Sequence, residues 1–304
     1  MLSVYPQVIQ QFLAAERLPD TYGQDAVSWF LPYIEQLKQI VNATDRRPML
    51  LGINGAQGTG KSTLSSLIVT VLNAAGYRTL ALSIDDFYLG RDVRKQLAES
   101  VHPLLQTRGV PGTHNTSLLQ QTLQKLGQAG EGQTVPIPRF NKACDDLFPP
   151  AAWQNFEGPV DLVILEGWFI GVKAQPLSAL RIPINDLEKN FDRQGIWRKY
   201  VNIKLHNDYE PLFHKLDRLL VLLAPSFDQV FRWRSMQEQK LRQKIGAKAK
   251  DLRLMDEQQL KQFILHFERL TCHGFKTLPD RADTVFKLDT TQQISVRSDR
   301  NQKN

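Results

Sequence analysis

Cysteine is almost absent from this chain of 304 residues: Cys144 and Cys272 stand alone and far apart. Neither a disulfide framework nor a cysteine-based zinc cluster can be built from them, and a reducing, cytoplasmic setting is the expected one. Histidine is sparse too, and His102, His206, His214, His266 and His273 show no metal-ligand spacing. Long apolar runs are missing. Residues 219–224 form one of the longest, far short of the roughly 20 needed to cross a bilayer, and the start lacks the basic-then-apolar pattern of an export signal. No membrane association is expected. Acidic residues are in deficit, 31 against 38 basic ones, for a net charge of +7, yet the imbalance is local. Between positions 232 and 253 eight basic residues stand against two acidic ones. One basic segment on an otherwise near-neutral chain suits a small polyanion at least as well as nucleic acid, which needs a broad basic face. A nucleic-acid partner is therefore not expected, and oligomeric state leaves no trace in the sequence.

What is present is an ordinary globular composition, 42% apolar and 23% charged. At about 150 residues per domain the length allows one large domain or two ordinary ones. The first 48 residues read as helices, with Val8, Ile9, Phe12 and Leu13, then Trp29, Phe30, Tyr33, Ile34 and Leu37, at helical spacing. From Met49 the pattern changes to strand, loop, helix. Leu50 to Ile53 read as a strand, and Leu64, Leu67, Ile68, Val71 and Leu72 mark one face of a helix that Gly76 ends. Further strands are expected at 79–84, 160–165, 219–223 and 284–288. Five short apolar strands separated by long crossovers predict an α/β fold, a parallel five-stranded sheet with helices on both faces in three layers. The expected organisation is a helical extension over 1–48, a main domain over 49–291 with a helical lid at about 232–253, and a polar tail over 292–304. The stretch 89–156 is too long for a simple crossover and is expected to carry ligand contacts.

The sharpest motif is Gly55-Ala56-Gln57-Gly58-Thr59-Gly60-Lys61-Ser62, followed by Thr63. It matches G-x-x-x-x-G-K-[ST] and lies between the expected strand and helix, as its mechanism requires. The glycines let backbone N–H groups converge on phosphates, and the helix N-terminus adds partial positive charge. Lys61 is expected on the β and γ phosphates and the Ser62 hydroxyl on Mg²⁺. Asn141-Lys142-Ala143-Cys144 fails the guanine-reading N-K-x-D pattern at Cys144, which leaves ATP as the expected nucleotide.

Five further stretches narrow the class. Ser83-Ile84-Asp85-Asp86-Phe87-Tyr88 resembles the D-[DS]-F-Y signature of the uridine kinase and phosphoribulokinase branch of P-loop kinases. The segments 108–115, 138–142, Leu165-Glu166-Gly167-Trp168 and Arg232-Trp233-Arg234 are similar to those of the P-loop D-glycerate 3-kinase family. The resemblance spans about 50–289. It implies the P-loop NTPase fold and transfer of the γ-phosphoryl group of ATP to a hydroxyl of D-glycerate, giving 3-phosphoglycerate. Asp85 aligns with the base of the related kinases, at a strand end where an acceptor hydroxyl must be oriented for in-line attack. Asp86 is read as a Mg²⁺ or loop-ordering residue, and Glu166 as the carboxylate near Mg²⁺. For either Asp85 or Asp86 a helix cap is the bland alternative.

Arg232 and Arg234 lie on the basic segment, where a closing lid would bring guanidiniums to the transferring phosphoryl group; a merely solvated basic helix is the other reading. For the acceptor, Tyr88, Thr113, His114, Arg139 and Lys142 supply hydroxyl, imidazole and cationic groups suited to a small hydroxy-carboxylate, with Arg139 offering a bidentate fork. Uridine-like or pantothenate-like acceptors are carried by the same framework, since fold does not fix function. An ATP-dependent switch protein is the reading from another class, and the Asp85 to Tyr88 signature speaks against it.

Overall fold

The computed structural model describes residues 5–44, 47–245 and 257–300. The apolar segments expected as strands form the middle of one sheet: β1 (Met49–Gly55), β2 (Thr79–Ser83), β3 (Leu162–Gly167), β4 (Arg218–Leu223) and β5 (Thr284–Leu288). Their spatial order is β5-β4-β1-β3-β2, all parallel. Every residue of β1 and of β3 is buried, as a strand covered on both faces by helices must be. Gly52 in β1 leaves room for Leu216 and Ile170, whose side chains a Cβ would meet at 2.7 and 3.0 Å.

A sixth strand, β6 (Ile294–Asp299), pairs antiparallel with β5 at the sheet edge. The sequence there reads as a polar tail because an edge strand buries few side chains. Ile294 is buried, while Ser295 and Val296 are exposed. The strand is pinned instead by polar bonds, Ile294 N to Asp25 Oδ2 at 3.1 Å and Thr284 Oγ1 to Asp299 Oδ1 at 2.7 Å. Residues 301–304 of that expected tail lie outside the described residues.

The N-terminal helices, Tyr5–Glu16 and Leu31–Ala43, pack on the helix Lys61–Ala74 that follows β1. They also reach the β5 side, where Phe30 and Tyr33 meet Phe286 edge-on. Opposite strand neighbours on the two sides of β1 open a crevice at the C-terminal ends of the strands, the place where open α/β sheets bind ligands. The expected lid begins as the helix Phe227–Ile245, which packs against the helix Glu257–Thr277. Its expected continuation over 246–253 lies outside the described residues, as does the side chain of Arg242.

Between β3 and β4 the chain inserts short helical segments over 177–213. A buried ion pair joins them to the helix Glu257–Thr277: Arg269 Nε and Nη2 each lie 2.6 Å from the Glu188 carboxylate. Arg269 also donates to the carbonyls of Ala179 and Ile182. Removing one partner of such a pair strands the other charge and costs about 3–5 kcal/mol. Arg269→Met is expected to lower the stability measured by urea unfolding by about that much, and an unchanged unfolding midpoint would contradict this role.

Candidate active site

Sequence dictates a tight loop where β1 meets its helix, because Gly58 and Gly60 take φ values of 83° and 84° that other residues resist. Within the loop Thr59 Oγ1 donates to the Ala56 carbonyl at 2.9 Å, and Lys61 opens the helix Lys61–Ala74 with Ser62 and Thr63 in its first turn. Gly60 and Ser62 are exposed and Gln57 half-buried, which leaves the concave side open to an anion. Trp233 of the helix Phe227–Ile245 sits on the other side of the loop, and a Cβ on Gly58 would lie 2.8 Å from its Cβ. Trp233 Nε1 and Gln229 Nε2 donate to the Thr290 carbonyl at 3.2 and 3.1 Å, and Gln292 Nε2 donates to the Gly58 carbonyl. The turn after β5 therefore ties the lid helix to the phosphate loop.

Glu166 ends β3, where parallel pairing sets it beside Ile53 of β1 and Ser83 of β2. Ser62 Oγ donates to Glu166 Oε1 at 2.9 Å, while Glu166 Oε2 is buried without a hydrogen-bond partner. A hydroxyl beside an orphaned carboxylate oxygen is an all-oxygen donor set of the kind Mg²⁺ takes.

Asp85 follows β2 in a short helical turn. Its backbone N–H donates to Ser83 Oγ at 3.3 Å, so the bland capping role falls to Ser83. The Tyr88 hydroxyl donates to Asp85 Oδ1 at 2.6 Å, and Lys142 Nζ lies 3.7 Å from Oδ2. Burial pushes this carboxyl toward protonation, but Lys142, Lys61 and the Tyr88 hydroxyl outweigh it and hold the pKa below the ordinary aspartate value.

Three of the expected site residues turn out to serve the loops themselves. Asp86 Oδ2 is held by Arg139 Nη1 at 2.7 Å and its Oδ1 accepts from the Phe140 N–H at 3.2 Å. Both oxygens are engaged, so Asp86 orders the 138–142 segment and the Mg²⁺ role expected for it does not fit. Arg139 gives Nη1 to the same ion pair, and its side chain is otherwise partly exposed. Thr113, fully buried, accepts from Gly109 N–H and donates to the Val110 carbonyl, closing its own loop instead of facing a ligand.

Other expected residues are brought to the centre. Lys61 is close enough to Asp85 to shift its pKa, and Lys142 reaches the same carboxylate. His114 is buried beside Tyr88, their rings 4.7 Å apart. Arg232 is exposed, and Arg234 is held by Glu238 at 2.8 Å, on either side of the tryptophan seated on the loop. Sequence reasoning missed Arg108, which pairs with Asp145 and lies over the rings of Tyr88 and Phe140 at 5.9 and 5.4 Å. It also missed Arg94, buried, which binds the Asp145 carboxylate at 2.8 Å and three loop carbonyls. Arg108 opens the family-like segment 108–115, but nothing local marks Asp145 as its partner, and a buried-type pattern does not announce Arg94.

No protein-family model matches the chain. It is 32% identical over 231 residues to the uncharacterized kinase mug58 of Schizosaccharomyces pombe, covering 73% of this chain and 79% of that one. This chain belongs to the P-loop kinases of the D-glycerate 3-kinase family. It is likewise 33% identical over 215 residues to the probable ATP-dependent kinase TDA10 of Saccharomyces cerevisiae, covering 66% of this chain and 70% of that one. The chloroplastic D-glycerate 3-kinase of Arabidopsis thaliana is 28% identical over 206 residues, which are 66% of this chain and 43% of that one. Among solved structures, D-glycerate 3-kinase from Cryptococcus neoformans shares the fold with a TM-score of 0.71 at 23% identity, over 91% of this chain and 98% of that one. The kinase is thus an ATP-dependent phosphotransferase acting on an alcohol group of a small molecule, and no described helix is long and apolar enough to cross a membrane.

The seat of Trp233 on the loop gives a direct expectation. Gly58→Ala must strain a left-handed residue, at roughly 1–2 kcal/mol, and push Trp233 away. ATP affinity measured by calorimetry is expected to fall about tenfold, the equivalent of 1.4 kcal/mol, and an unchanged affinity would show that the loop tolerates the crowding.

Proposed function

We propose that the protein transfers the γ-phosphoryl group of ATP to a hydroxyl of D-glycerate, giving 3-phosphoglycerate, in the cytoplasm. The observation that carries this reading is Asp85, a half-buried carboxylate kept ionised between Lys61 of the phosphate loop and Lys142 of the acceptor side. This supports a proton acceptor between the donor phosphate and an exposed approach. The resemblance to two D-glycerate 3-kinases, one from a plant and one from a fungus, supports the choice of acceptor.

The backbone N–H groups of residues 55–63 and the Lys61 ammonium hold the β and γ phosphates. Ser62 and Glu166 are the residues that fit Mg²⁺, which when bound would neutralise charge between those phosphates. Asp85 orients the acceptor hydroxyl and takes its proton late, as the bond to phosphorus forms. A carboxylate is too weak to ionise an alcohol outright, but a loose phosphoryl transition state asks for positioning more than for basicity. Lys142 is the cation on the acceptor side that suits the glycerate carboxylate, while Arg108 and Arg139 are each held by one ion pair. Arg232 and Arg234 approach the phosphoryl group as the lid closes over 49–291, the kinase domain, and excludes water.

The test is ADP release with Mg·ATP and a panel of D-glycerate, L-glycerate, uridine, pantothenate and ribulose 5-phosphate. Stimulation by D-glycerate with a phosphorylated product by mass is expected, and stimulation by another acceptor alone would overturn the assignment. Asp85→Asn is expected to lower kcat by about 10²–10⁴-fold, the range of general base catalysis, with ATP affinity nearly unchanged.

A further inference from the structure

Tyr209 lies far from every motif in the sequence, at the end of a π-helical turn, Leu205–Tyr209, in the insertion between β3 and β4. Such turns are rare and cluster at functional sites. Its side chain is fully buried, and its hydroxyl sits 3.0 Å from the Gly112 nitrogen and 2.9 Å from His114 Nδ1. The Gly112 N–H can only donate, so the hydroxyl accepts there, and donating its proton to Nδ1 avoids leaving that proton buried without an acceptor. That inventory assigns His114 the Nε2–H tautomer. The ring stays neutral, since burial lowers its pKa to about 4 against the opposing charge of Asp85.

From His114 the contacts continue toward the reacting groups. A backbone bridge joins His114 to Tyr88, and their rings lie 4.7 Å apart at 30°. Phe169 backs this stack, 5.6 Å from His114 and 5.3 Å from Tyr209. The Tyr88 hydroxyl then donates to Asp85 Oδ1 at 2.6 Å. His114 Nε2 is buried, so solvent and ligands do not reach it in this arrangement. The other carboxylate oxygen, Oδ2, faces Lys142, whose side chain is 66% exposed.

We propose that Tyr209 is a positioning residue for phosphoryl transfer: acting through His114 and Tyr88, it fixes Oδ1 of Asp85 and leaves Oδ2, on the Lys142 side, for the acceptor hydroxyl. The inference rests on the reading that Asp85 receives that hydroxyl. It moves Tyr88 and His114 from contact with the acceptor, their expected role, to support of the base. Small displacements of a reacting group are costly, about 10²-fold for 1 Å. Losing the far anchor of a three-residue stack is therefore felt in turnover and not in binding.

Steady-state kinetics of Tyr209→Phe tests this in the full chain, with D-glycerate as acceptor. The expected result is kcat lowered about tenfold, with KM for acceptor and for ATP within twofold of the wild type. A raised acceptor KM at unchanged kcat would place the stack in contact with the acceptor, and no change in either would remove the role. A second pair of variants decides the matter even where Tyr209→Phe fails to fold. His114→Asn keeps an acceptor near Nδ1 for Tyr209, whereas His114→Gln keeps a polar group near Nε2 and loses that link. Higher kcat in the asparagine variant supports the inference, and higher kcat with better acceptor KM in the glutamine variant overturns it. Asp85→Asn separates the two levels. If it retains turnover the underlying reading fails; if it abolishes turnover while Tyr209→Phe behaves as wild type, only the role of Tyr209 fails.

Discussion

The structure turns on one carboxylate kept charged where burial opposes charge. Asp85 follows β2, and its partial burial pushes its pKa up while Lys142, Lys61 and the Tyr88 hydroxyl pull it down. Those two lysines come from opposite sides, one from the phosphate loop after β1 and one from the long excursion between β2 and β3. The fold is what makes them meet. Parallel pairing of β1 with β3 and of β3 with β2 brings the loop, Glu166 and Asp85 to the same end of the sheet. Ionisation of the base and binding of phosphate by Lys61 are therefore coupled, since both draw on the same ammonium.

The second constraint is the closure of the phosphate loop from behind. Trp233 fills the space that a missing side chain at Gly58 creates, and its indole is fixed by the turn after β5. The helix Phe227–Ile245 is thus seated on the loop, and Arg232 and Arg234 stand on either side of Trp233 in the chain. Glu238 restrains Arg234 at 2.8 Å, whereas Arg232 is exposed. The more exposed arginine is the one freer to reach a phosphoryl group.

Much of this was legible in the sequence, for physical reasons that also explain the failures. The phosphate loop is contiguous and its glycines do one job, so motif and geometry coincide. The five parallel strands are apolar on both faces and stand out from their surroundings; β6, solvated on one side, does not. Asp86, Thr113 and Arg139 have the right chemistry in the right segments, yet Asp86 and Arg139 pair with each other and Thr113 closes its own loop. Residue type reveals what a side chain can bind, not whether it is already bound. The pairing of Arg94 and Arg108 with Asp145, and of Tyr209 with Gly112 and His114, went unseen because these contacts span 37 to 97 positions. Only the fold brings them together.

The central claim is that Asp85 is ionised in its half-buried site before any substrate arrives. Carboxyl ¹³C chemical shifts of labelled aspartate, followed through an acid titration and assigned with Asp85→Asn, measure this directly. The expected result is a midpoint for Asp85 below the ordinary aspartate value of 3.8. A midpoint above that value would mean that burial outweighs Lys61, Lys142 and Tyr88, and it would contradict the account of the base.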